Sequence, residues 1–233
     1  MLILAFETSA KAASAALLQD NVLLAETYQN TGLTHSQTLL PMAEALLKNC
    51  GFTPEDVEAV AVAAGPGSFT GIRIGVAAAK GFAWGKEIPC CGVSTLEAMA
   101  LQFGASDGYI LPVMDARRDQ VYTALFYAEK GVCRRILEDR AVSFAELQAE
   151  LQKLNETIYL VGDGSRVCYD ALHDQIPALV IPPEHRMHQR ACGVGLAAYE
   201  KLKSGENCSG AELTPNYLRL SQAERERLAK QEI

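Results

Sequence analysis

Charge is scarce where this sequence begins. Residues 1–100 carry 5 basic and 9 acidic side chains, and none at all lies between Glu58 and Arg73. A stretch so bare must be buried, either in its own core or against a partner. A basic excess is also missing: 21 Lys and Arg stand against 28 Asp and Glu, a formal net charge of -7. Phosphate contacts need Lys and Arg, so binding of DNA or RNA by this chain alone is disfavoured. The 7 cysteines contain no C-x-x-C pair, and their number is odd. That argues against a disulfide framework or a zinc ribbon. It favours reduced thiols in the cytosol, most of them small core fillers. No apolar run is long enough to span a bilayer, and the uncharged run 59–72 is broken by Gly65, Pro66, Gly67 and Gly71. The apolar start Met1–Phe6 has no basic flank and stops at Glu7, unlike a signal peptide.

Several catalytic signatures are missing as well. Gly65-Pro66-Gly67-Ser68-Phe69-Thr70-Gly71 has the look of a phosphate loop at a helix start, but no Lys-Ser/Thr follows its last glycine. A tight strand-to-helix turn with close helix packing is the simpler reading. Neither H-E-x-x-H nor G-x-S-x-G occurs, so peptidase chemistry has no support. Of the four histidines, His35 is expected to pack or hydrogen-bond at a helix start. His173, His185 and His188 are expected at the surface or in linkers, so no metal is expected.

What is there is a chain of 233 residues with 49% hydrophobic content, enough for one large domain or two small lobes. Three strands open it, at 2–8, 12–18 and 22–29, with turns short enough for hairpins. Thr34 and Gln37 frame a capping box for a helix over 34–49, with a stripe of Leu39, Leu40, Met42, Ala43, Leu46 and Leu47. Pro41 should kink it and Gly51 should end it. A strand at 57–64, a helix at 70–84 and a strand at 88–93 follow, and Ser94 to Glu97 caps a third helix. Gly71, Gly75, Ala78 and Ala79 put small side chains on the 70–84 helix, which permits close approach of another backbone. Further on, strands are expected at 109–115, 119–127, 132–138 and 157–161, with helices at 143–154 and 189–203. Hairpins followed by parallel crossovers are the ribonuclease-H-like order. The lobes are expected at 1–102 and 103–233, with 221–233 a solvated helix or frayed end.

In this topology two turns could hold phosphate: Thr8-Ser9 after the first strand, and Gly162 to Gly164 after the strand at 157–161. The plain alternative is two ordinary turns. A two-metal nuclease would need converging carboxylates. Glu7 is available, but the strand ending at Ala64 offers none, and Asp115 with Arg117 reads better as an ion pair or turn cap.

The stretch Gly65 to Gly75, GPGSFTGIRIG, strongly resembles the TsaB family, also called YeaZ. MLILAFETS, THSQTLLP, VSTLEAMA, MDARRDQVY and the late PNYLR continue the resemblance over essentially the whole chain. The resemblance implies an α/β protein with the two-lobed actin/Hsp70-like ATPase fold, each lobe a mixed sheet flanked by helices. It implies a bacterial role in making N6-threonylcarbamoyladenosine at position 37 of tRNAs reading codons that begin with A. Within that system a catalytic paralogue, TsaD, transfers threonylcarbamoyl from threonylcarbamoyl-AMP. TsaB is its non-catalytic partner and an ATPase, TsaE, joins them. tRNA is met only within the complex. No cofactor is implied for this chain. The paralogue carries G-V-N-H-L-E-G-H, whose two His bind the active-site metal, and Thr95 and Met99 stand at those places here. Neither is a good ligand for such a site. The resemblance also implies docking on the paralogue, or self-pairing when it is missing, through helices 34–49 and 70–84. Leu39, Met42, Ala43, Leu46, Ile72, Gly75, Val76 and Ala79 are the candidate contacts. About a third of the stripe residues are expected to face a partner. The competing reading is an independent nucleotide-binding ATPase or kinase of the same fold, resting on the Glu7-Thr8-Ser9 and Gly162-Asp163-Gly164 turns.

Overall fold

The computed structural model describes residues 1–104, 106–117 and 119–219. The expectation for 221–233 therefore lies outside the described residues. Strands β1 (Leu2–Glu7), β2 (Ala13–Gln19) and β3 (Val22–Gln29) form an antiparallel meander. Helix α1 (His35–Asn49) leads to a short 3-10 turn (Pro54–Asp56) and to β4 (Ala59–Gly65), which pairs parallel with β1. Helix α2 (Phe69–Trp84) crosses to β5 (Cys90–Ser94), parallel to β4. The first sheet has the order β3-β2-β1-β4-β5.

Helix α3 (Thr95–Phe103) carries the chain to a second meander, β6 (Gly108–Asp115), β7 (Gln120–Glu129) and β8 (Val132–Ser143). After α4 (Phe144–Leu151), β9 (Ile158–Val161) pairs parallel with β6. After α5 (Ser165–Leu172), β10 (Leu179–Val180) pairs parallel with β9. The second sheet, β10-β9-β6-β7-β8, thus repeats the first: a meander, then two parallel strands added beside its first strand. No repeat is visible in the residues themselves, because the two halves share topology rather than side chains. A one-turn helix α6 (Glu184–Met187) and α7 (Ala191–Lys203) complete the described elements.

The period of two along a strand divides β1 between two cores. Leu4 and Phe6 point to α1 and α2, while Ile3 and Ala5 point to α7. Helix α3 lies between the sheets: Ala98 joins the α7 side of the first, and Leu96, Met99 and Phe103 pack on Ile110, Met114 and Phe126 of the second. A division at residue 102 separates the two sheets but not the packing units. Helix α7, from the second half, covers the first sheet, and Leu213 enters the core under α1 and α2.

Local chemistry explains the ends. Thr34 is the N-cap of α1, but its side chain makes no capping bond; Gln37 N–H is taken by the Thr34 carbonyl instead. The expected capping box is therefore absent there. Gly51 ends α1 as expected. With φ of 75° it allows Phe52 N–H to reach Leu47 O and Gly51 N–H to reach Lys48 O. At Ser143 the reciprocal box with Glu146 is complete.

Candidate functional site

The ends of β1, β4, β6 and β9 face one cleft of about 690 Å³, the position where open α/β sheets place ligands. Ser9, the Pro66–Thr70 turn, Asp115 and Asp163 line it. The segment Asn216–Arg219 runs along one side.

Beneath it lies Glu7, 1% exposed. Its Oε1 accepts the Ser9 N–H at 2.5 Å, and Oε2 has no partner. Burial pushes this carboxyl up to about 7, and the nearby Asp163 charge adds to the shift. Asp163 is itself raised by burial, although Gln189 Nε2 donates to its Oδ1 at 2.9 Å. Like charge adds to burial at both acids, from Asp163 on Glu7 and from Asp115 on Asp163, and no local pattern in the sequence pairs Glu7 with Asp163.

The two candidate phosphate turns are corrected by where their polar groups go. Thr8 is fully buried, and its Oγ1 donates to the Gly71 carbonyl at 2.8 Å. Ser9 N–H is spent on Glu7, and Ser9 O accepts Ser68 N–H at 2.6 Å. Gly162 N–H donates to Met187 O at 2.6 Å, and Gly164 N–H to Val113 O at 3.0 Å. These glycines serve close packing: a Cβ on Gly162 would fall 2.3 Å from Val113 O. Donors already bonded within the chain do not cradle a phosphate, so these turns do not support the ATPase or kinase reading. The Ser9 hydroxyl is buried beside the Glu7 carboxyl and works against the upward push of burial on that group.

The GPGSFTG turn behaves as the simpler reading expects. Ser68 caps α2 by accepting Gly71 N–H at 3.2 Å, and Gly71 and Gly75 let α2 press onto Thr8. The close approach is to the turn that follows the chain's own β1. Asp115 caps a turn by accepting Arg117 N–H at 2.7 Å. His35 Nε2 bonds Ala10 O at 2.8 Å, His188 meets Glu184 at 3.0 Å, and His185 is exposed. Among the described residues, no group of three or more His, Cys, Asp or Glu could hold a metal ion.

Thr95 and Met99 are both buried in α3, and the Thr95 hydroxyl finds no partner. The polar groups around them are engaged with each other. Ser94 Oγ donates to Asp139 at 2.5 Å, and Arg135 bridges Asp139 at 2.6 Å and Glu97 at 3.6 Å.

The eight candidate contact residues need the clearest correction. Leu39, Met42, Ala43, Leu46, Ile72, Val76 and Ala79 all belong to the core between the helices and the first sheet. Gly75 is buried against Thr8. A stripe read from sequence shows which residues are apolar, not which way they face, and the sheet claims this face. Of the α1 stripe, only Leu40 is exposed, at 51%. The outward face of α2 is Arg73, Ala77, Gly81 and Trp84, the last 75% exposed. Space around Gly81 is open.

Two mixed sheets of one topology, facing across a cleft at the ends of their first strands, define the two-lobed actin/Hsp70-like ATPase class. Component A of (R)-2-hydroxyglutaryl-CoA dehydratase from Acidaminococcus fermentans shares the fold alone: its TM-score is 0.51 at 11% identity, over 87% of this chain and 99% of that one. The profile described as TsaD, tRNA N6-adenosine threonylcarbamoyltransferase, matches residues 28–227. The tRNA threonylcarbamoyladenosine biosynthesis protein TsaB of Bacillus subtilis is 34% identical over 96% of both chains. YeaZ from Pseudomonas aeruginosa has a TM-score of 0.76 at 26% identity, covering 93% of this chain and 99% of that one. The chain belongs to the TsaB (YeaZ) family.

Proposed function

We propose that this chain serves tRNA threonylcarbamoyladenosine biosynthesis as a subunit that does not itself transfer the threonylcarbamoyl group. The observation that carries the reading is the state of α3. Where the TsaD-type paralogue places two metal-binding His, this chain has Thr95 and Met99, and both are enclosed in its own core. Chemistry at this place has neither ligands nor access.

Its partner is a TsaD-type paralogue, joined by a TsaE-type ATPase, and tRNA is met within that complex. Docking uses the outer face of the two-helix layer on the first sheet. Leu40 on α1, with Ala77, Gly81 and Trp84 on α2, put apolar and small residues on that face beside the charged Arg73, Glu44 and Lys48. Large aromatic residues anchor interfaces, and small ones let helices approach. In the paralogue's absence the same face pairs with a second copy. The test combines purified chain, paralogue and ATPase with unmodified tRNA and threonylcarbamoyl-AMP, and reads modified adenosine by mass spectrometry. Activity is expected only when the paralogue is present.

A further inference from the structure

Cys90 opens β5, the edge strand of the first sheet. Cys208, in the irregular segment after α7, forms a single antiparallel bridge with it. Cys90 N–H donates to Cys208 O at 2.8 Å, and Cys208 N–H donates to Cys90 O at 2.9 Å. Residues that exchange both bonds have Cα atoms about 5.5 Å apart, inside the roughly 4.4–6.8 Å range of disulfides. Directly opposed side chains share one face of a sheet. Accordingly Cys90 is part of the core under α1 and α2, and Cys208 packs against that same core. Cys208 Sγ lies 3.6 Å from Cys90 O. The neighbouring Cys91 faces the α7 side.

We propose that Cys90 and Cys208 form a reversible dithiol–disulfide site that reacts with hydroperoxides. Opposed Cβ atoms start about 4.5–5.5 Å apart and must close to about 3.5–4.5 Å. Cys208 can supply that movement, because its bridge stands alone and Asn207 and Ser209 on either side are exposed. Cys208 is also the partly exposed member of the pair, so it meets the oxidant first. Its thiolate attacks the peroxide, the O–O bond breaks, and a sulfenic acid and an alcohol or water result. The Cys90 sulfur then attacks the Cys208 sulfur, the S–O bond breaks, and water leaves as the S–S bond forms. Two thiols and one hydroperoxide give one disulfide, one alcohol and one water. An external dithiol reverses the change. Burial pushes Cys90 up to about 11 and raises Cys208 as well, so the reaction quickens as pH rises.

The bridge would fix more than the edge of β5. Beyond Cys208 the chain crosses between the sheets: Asn216 N–H donates to Ala64 O at 2.7 Å, and Arg219 Nη1 donates to Ala116 O at 3.0 Å. Oxidation therefore anchors the segment that runs along the cleft.

The test treats the full chain with hydrogen peroxide, alkylates remaining thiols and maps linked peptides without reduction. The Cys91→Ser variant removes the ambiguity of adjacent cysteines. The expected result is a Cys90–Cys208 peptide as the main intramolecular link, lost on dithiothreitol treatment and in Cys208→Ser. Limited proteolysis should then cut residues 204–219 more slowly in the oxidised Cys91→Ser protein than in the reduced one. If Cys208 stays alkylatable under conditions that oxidise other thiols, or if other pairs dominate the linked peptides, the site does not exist.

Discussion

A Cβ built on Gly75 would lie 2.4 Å from the Thr8 hydroxyl oxygen. Helix α2 therefore passes the turn that follows β1 at a distance that only glycine permits, and the same hydroxyl is tied to Gly71 O one turn earlier. Gly75→Ala should destabilise the fold by about 1–3 kcal/mol, the usual range for overpacking. Urea unfolding checks this through a lower midpoint at unchanged slope.

Glu7 gives stability a pH dependence of definite sign. Its folded carboxyl is raised to about 7 from an ordinary 4.5, so between these values the native state binds more protons than the unfolded state. Its contribution to stability is full below about 4.5, falls as pH rises, and is lost above about 7. Each unit corresponds to about 1.4 kcal/mol, so the loss is at most about 3.5 kcal/mol. Glu7→Gln should flatten the stability profile between pH 5 and 7 and be more stable than the parent at pH 8. Chemical denaturation across that range reads both effects.

Inner and outer helix residues should respond differently. Leu39→Asp places a charge in the core and should prevent folding, as circular dichroism would report. Gly81→Leu adds a side chain in open space and should leave the lone chain folded while blocking helix docking. Trp84→Ala should weaken paralogue binding by about 2 kcal/mol or more, ~30-fold, in calorimetry.

The complete capping box at Ser143 allows a smaller check. Its hydroxyl accepts Glu146 N–H, and Glu146 reaches back to Ser143 N–H at 2.9 Å. Ser143→Ala should cost about 1 kcal/mol, seen as a lower thermal midpoint.

The element order from β1 to α3 was legible because hairpin turns, glycines and caps punctuate short apolar runs there. The three elements between Val161 and Ala191 other than β9 were not. Helix α5 opens behind Gly164 without a capping side chain, and β10 and α6 are too short to show a period. The facing of α1 and α2 was hidden for another reason. Both helices are apolar on more than one side, and only the sheet decides which side is core. The same limit applies to Thr8, Gly162 and Gly164. Their residue types suit a phosphate turn, but carbonyls distant in sequence take the Thr8 hydroxyl (Gly71 O) and the two glycine amides (Met187 O and Val113 O). The pairing of Glu7 with Asp163 depends on two strands 156 residues apart meeting at one cleft, which no local pattern encodes.

On the proposed function, this chain supports transfer of the threonylcarbamoyl group without performing it. The most direct measurement is modification of adenosine 37 in unmodified tRNA supplied with threonylcarbamoyl-AMP. The chain alone should give none, and adding it to the paralogue and ATPase should switch activity on, with Gly81→Leu failing to do so. Modified adenosine formed by the purified chain without the paralogue would contradict the account.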